Sequence, residues 1–109
     1  MANIDYIVIG PGPSGSDVNA TVLAVTGGAQ TDGGWLHPAD ERAALRVVPD
    51  PEVPGGHVVQ VHYAGDPISA RQALARSVYD ALVEHTDWDL VLDSDDAEGV
   101  LASRIKTRR

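Results

Sequence analysis

The 109-residue chain has no cysteine, no phenylalanine, one methionine and a single lysine. The missing cysteines exclude disulfides and thiolate metal sites, and they leave the redox compartment open. No apolar run approaches the ~20 residues of a membrane-spanning helix, and the N-terminus lacks the charged-then-apolar pattern of a secretory signal. A cytoplasmic protein with no membrane partner is expected. Internal repeats, low-complexity tracts and long linkers are also missing. Residues 1–109 should therefore form one domain, which at this length buries roughly two thirds of its unfolded surface.

Signatures of catalysis and of metal binding are equally scarce. There is no nucleophile elbow and no phosphate loop with its lysine. The histidines His37, His57, His62 and His85 do not pair at helical spacing, and His57 and His62 fall on opposite faces of one strand, so zinc is not expected. Between Asp87 and Glu98 stand six acids, of which Asp93, Asp95 and Asp96 are the candidate cation ligands. Ala97 and Glu98 occupy places where a calcium loop requires an acid and a glycine, so the segment reads as a solvated acidic turn. No catalytic residue stands out, and a non-enzyme is expected.

What is abundant is negative charge. The formal net charge is −8. Four of the eight basic groups lie in the final RIKTRR, so residues 1–103 carry 4 basic and 16 acidic groups, a net of −12. An acidic body disfavours nucleic acid, whose binding normally uses basic side chains to displace phosphate counterions. The basic tail 104–109 is expected to be a flexible, solvated terminus.

The best-specified stretch runs from Asp66 to Leu92. Asp66 can cap a helix and Pro67 suits its first position. Ala70, Leu74, Ala75, Val78, Ala81, Leu82 and His85 recur at three- and four-residue spacing and predict the buried stripe. Gln72, Arg76, Asp80 and Val83 fall opposite, and Tyr79 and Val83 form an i,i+4 pair away from the stripe. A short turn then leads into a strand, Trp88–Leu92. Period-two alternation predicts further strands at Asp5–Ile9, Asn19–Thr26 and His57–Tyr63, with a last one over Val100–Lys106. Residues 38–48 are ambiguous between helix and strand; a short turn into a strand at 45–48 is favoured. Trp35-Leu36-His37 reads as loop, with an indole and an imidazole able to form a contact surface. The fold class expected is α+β: a mostly antiparallel sheet of five to six strands, one main helix packed on one face, in the order ββββαββ.

One motif has a family look. IVIGPGPSG, with Gly10, Gly12 and Gly15 at GxGxxG spacing after a strand, resembles the phosphate-binding fingerprint of flavin and nicotinamide enzymes. The resemblance implies backbone amides at a helix N-terminus approaching a pyrophosphate, with those glycines as cofactor-binding positions. Read from the residues alone, Ser16–Val25 is rich in β-branched side chains and alternates like a strand, which makes GPGPSG a loop between two strands and leaves no cofactor.

The function expected is a small non-catalytic protein-binding domain of the immunity-, antitoxin- or inhibitor-like kind. Arg76, Tyr79, Val83, Trp35, Asp95 and Asp96 are its candidate contact residues, and a homodimer or higher assembly is an open possibility. The alternatives are a self-assembling component such as a phage virion or shell subunit, a nucleotide- or flavin-binding module on GPGPSG, and an acidic mimic of DNA.

Overall fold

Alternation is clearest in DYIVI and HVVQVHY, and these segments become neighbouring inner strands of the sheet. The computed structural model describes residues 4–30, 35–37, 43–63, 68–94 and 101–104. In chain order the elements are β1 (Asp5–Ile9), α1 (Gly15–Thr26), β2 (Ala29–Gln30), β3 (Trp35–His37), β4 (Ala43–Pro49), β5 (His57–Tyr63), α2 (Ile68–His85), β6 (Leu90–Ser94) and β7 (Ala102–Arg104). The seven strands form one antiparallel sheet in the order β2-β3-β4-β5-β1-β6-β7. The α+β class and the antiparallel sheet are as expected, with more strands and a second helix.

That second helix corrects the strand expected at Asn19–Thr26. Valine and threonine disfavour helix only weakly, and two end signals outweigh them here. Ser14 accepts the Asp17 amide at 3.1 Å as the N-cap. Gly27, at φ 65°, closes the other end, donating its amide to the Leu23 carbonyl at 3.1 Å. Val18 and Val22 are fully buried one turn apart, a periodicity that period-two alternation obscured. Leu36, expected in a loop, is buried in β3. Residues 43–48 are strand, while 38–42 lie outside the described residues.

The predicted main helix is present but rolled about its axis. Its buried residues are Arg71, Ala75, Val78, Tyr79 and Leu82, and His85 is exposed. An ion pair fixes the roll: Arg71 Nε donates to Asp5 Oδ1 at 3.1 Å, and Ser94 Oγ donates to the same oxygen at 2.6 Å. All three residues are buried, so the helix turns toward the sheet the face that carries Arg71. The expected cap Asp66-Pro67 lies outside the described residues.

Both helices cover the same face. α2 packs on β1, β5 and β6, while α1 packs on β4 and on α2. The inward residues Ile7, Ile9, Leu45, Val59, Val61, Leu90 and Leu92 join Val18, Val22, Val78 and Leu82 in one core. Each such side chain contributes about 1.5–3 kcal/mol by leaving water. Arg104, expected to begin a free tail, is bound instead. Its guanidinium donates to the Val83 carbonyl at 2.7 Å, to the Trp88 carbonyl at 2.8 Å and to Thr86 Oγ1 at 3.3 Å. It ties β7 to the end of α2, where free carbonyls favour a cation. Residues 105–109 lie outside the described residues.

Candidate protein-interaction face

With both helices on one side, the other side of the sheet is bare among the described residues. Side chains at directly paired positions share a face, so the register fixes what that surface presents. One cross-strand row runs Trp35, Arg46, Gln60, Tyr6, Asp93 from β3 to β6. The adjacent row runs Val48, Val58, Val8, Val91, Ser103. Four valines side by side form an apolar band across the middle of the sheet, bordered by an aromatic and polar row.

The polar row is internally organised. The Trp35 and His62 rings meet edge-on, with centroids 5.2 Å apart and planes at 74°. The Arg46 guanidinium lies 5.4 Å from the Trp35 ring centroid, within cation–π range. His62 Nε2 and Gln60 Oε1 are 3.3 Å apart. Burial holds the His62 imidazole below the ordinary histidine range, and the nearby Arg46 charge pushes it the same way. At one end the β4–β5 loop rises beside the valines. Asp50, Pro51, Glu52 and Val53 there wall a hollow of about 510 Å³ floored by Tyr6, Val8, Val58 and Gln60. Trp, Tyr and Arg around an apolar centre are the residue types that interfaces concentrate.

The sequence-derived candidates are distributed differently from expectation. Trp35 is half-buried on this bare face. Arg76 is exposed on α2, paired with Asp80 at 3.2 Å and lying 5.8 Å from the Tyr79 ring centroid. Tyr79 is a core residue, 5% exposed. Val83 is half-buried, with its carbonyl taken by Arg104. The roll set by Arg71 therefore removes the expected Arg76–Tyr79–Val83 contact patch. Asp93 points outward from β6, its carboxylate accepting the Ser94 amide at 2.8 Å, while Asp95 and Asp96 lie outside the described residues. Among the described residues, no three His, Cys, Asp or Glu side chains are grouped to hold a metal ion.

The glycine motif does join a strand to a helix, against the two-strand reading. Its glycines answer to packing and backbone. A Cβ on Gly10 would come within 3.1 Å of the Asp89 Cβ, and one on Gly15 within 3.2 Å of His57 Nε2. Gly12 sits at φ 145°, where side chains are strained. The nearby hollow of about 490 Å³ is lined by Pro11, Gly12, Pro13, Thr21, Trp88 and three carboxylates, Asp17, Asp87 and Asp89.

Sequence reasoning passed over two groups. The Asp5–Arg71–Ser94 cluster joins residues 66 and 89 positions apart, and only an arginine at an inward helical position could have signalled it. The bare face depends on where the helices land, for which period-two patterns carry no signal. No family model, curated protein or solved structure matches this chain.

Proposed function

We propose that this protein is a non-catalytic protein-binding domain that works through the open face of its sheet. The observation that carries the reading is the band of Val48, Val58, Val8 and Val91 beside Trp35, Arg46 and Tyr6, which no helix among the described residues covers. A contiguous apolar patch rimmed by aromatic and charged groups is what partner surfaces offer. An immunity-, antitoxin- or inhibitor-like role suits this size and acidity, and so does a subunit of an assembly. Among the described residues, no helix is long and apolar enough to cross a membrane.

The nucleotide- or flavin-binding reading has less support. Three carboxylates around the hollow at the start of α1 would repel a pyrophosphate that the helix dipole attracts. β1 is also flanked by antiparallel strands, whereas the fingerprint works at the switch point of a parallel sheet.

Affinity capture tests the reading, using tagged wild-type, Val58→Asp and Arg76→Ala chains in cells that also express the untagged chain. The expected result is a protein retained by wild type and by Arg76→Ala but lost with Val58→Asp. Equal recovery by all three overturns it.

A further inference from the structure

The open face carries information about its partner. The outward positions of the strands hold one formal positive group, Arg46, and one negative group, Asp93, in a chain of net charge −8. Among the described residues, the acids beside this face stand at one end: Asp50 and Glu52 in the β4–β5 loop and Asp89 just before β6. A basic partner would be drawn to those acids and away from this neutral face. A like-charged copy can approach this face, because charge is depleted where desolvation is deepest.

The two charges are also placed symmetrically. In the order β2-β3-β4-β5-β1-β6-β7, the midline between the neighbouring strands β5 and β1 has β4 and β6 as the next strands on either side. Arg46 on β4 and Asp93 on β6 lie in one row, equally far from that midline on opposite sides. In the same row Gln60 and Tyr6 flank it. In the next, Val58 and Val8 flank it with Val48 and Val91 outside them.

We infer that the partner is a second copy of this chain, stacked face to face about a two-fold axis that follows the β5–β1 midline; the inference rests on the reading proposed above. Such an axis reverses the cross-strand order and keeps each row on itself. Arg46 of each copy then meets Asp93 of the other, Gln60 meets Tyr6, and the valine bands cover one another. A two-fold axis in the sheet plane but across the strands would set Arg46 against Arg46. The Arg46–Asp93 pairing therefore favours the first axis over the second.

The geometry tolerates sheet twist. Arg46 lies one and a half strand spacings from the axis, about 7 Å. A crossing of about −30° between packed sheets displaces the facing groups by roughly 4 Å at that distance. An arginine side chain spans that gap. Opposite Asp50 and Asp89 groups come near each other at the rim, where water and salt screen them.

Sedimentation equilibrium on the purified full chain tests this, from micromolar to millimolar concentration. The wild type is expected at twice its 11.5 kDa mass. Val58→Asp is expected to be monomeric with an unchanged far-ultraviolet spectrum. Arg46→Asp and Asp93→Arg should each weaken the dimer about tenfold or more, because like charges then face each other twice. An equimolar mixture of these two variants should dimerise like wild type, since the mixed pair restores both contacts. A folding defect would not be repaired by mixing. A wild type that stays monomeric, a dimer indifferent to Val58→Asp, or a mixture no stronger than its components overturns the inference. If the wild type is monomeric yet Val58→Asp abolishes capture of another protein, the second copy is refuted and the interaction face stands. If it abolishes nothing, both fall.

Discussion

Replacing Arg71 by methionine isolates the contact that sets the roll of α2. Asp5 is fully buried, and Arg71 and Ser94 donate to one of its oxygens at 3.1 and 2.6 Å. Its second oxygen, Oδ2, is buried and accepts no hydrogen bond from the described residues. Methionine keeps the aliphatic volume but leaves a buried carboxylate with the Ser94 hydroxyl as its remaining described donor. Breaking a buried pair from one side costs about 3–5 kcal/mol. A domain of this length holds roughly 5–16 kcal/mol in all, so the variant should lose about a fifth or more of its stability. At roughly 4 °C per kcal/mol, Tm should fall by about 12–20 °C. Ser94→Ala, which removes one hydrogen bond to a charged acceptor, should cost less, about 1.5–3 kcal/mol. The double variant Asp5→Leu/Arg71→Met removes both charges and should recover most of the loss. Urea unfolding followed by far-ultraviolet dichroism measures all four proteins. An Arg71→Met protein within about 1 kcal/mol of wild type would refute the assignment of this pair as the anchor of α2. A double variant as damaged as the single would refute the electrostatic part of the argument.

Three further perturbations have clear directions. Arg104→Ala removes the bonds to the Val83 and Trp88 carbonyls and should cost about 1.5–3 kcal/mol. Hydrogen exchange should quicken first at the end of α2 and in β7. Gly12→Ala should cost about 1–3 kcal/mol by backbone strain alone, since its added methyl meets nothing within 4 Å; a shift in urea midpoint measures it, and no shift would count against the positive φ. His62 titrates below its unfolded value, chiefly through burial and then through Arg46. The unfolded chain therefore binds the proton more readily, and the neutral ring contributes stability above the unfolded value that is lost as pH falls through the folded one. From about pH 7 to about pH 5 the urea midpoint should fall more steeply for wild type than for His62→Gln.

How far the sequence foretold this molecule depends on the range of the interactions involved. HVVQVHY alternates over seven residues and becomes β5 with the same ends, because the pattern needs only a buried and a less buried face. The α2 periodicity was legible, but its orientation was not. Leu74 and His85 match the apolar stripe as well as Tyr79 does, and the choice was made by Arg71 meeting Asp5, 66 positions away. Ser14 and Gly27 could have identified α1, since a cap residue and a closing glycine bracket its 12 residues. The β-branched content hid those signals. Trp35-Leu36-His37 reads as loop because WLH is too short to show alternation; its place in β3 is fixed by the pairing of Trp35 with Arg46 and of Leu36 with Leu45.

The bare face was illegible for a more basic reason. DYIVI places Tyr6 and Val8 on one side and Asp5, Ile7 and Ile9 on the other, and both sides contain enough apolar surface to accept a helix. Hydrophobicity alone does not choose between them. A buried Asp5 needs a cation, and it meets Arg71 of α2 on the side that α2 covers. Once α2 lies there, the core that α2 shares with Val18 and Val22 holds α1 on the same side, and no helix among the described residues is left to cover Val8, Val58 and Val48. A buried ion pair at one end of the sheet thus lies on the face the helices cover, opposite the one left bare among the described residues. The two properties are coupled: Asp5→Leu/Arg71→Met, if it lets α2 roll or shift, should weaken association through Val58 without touching a single outward residue.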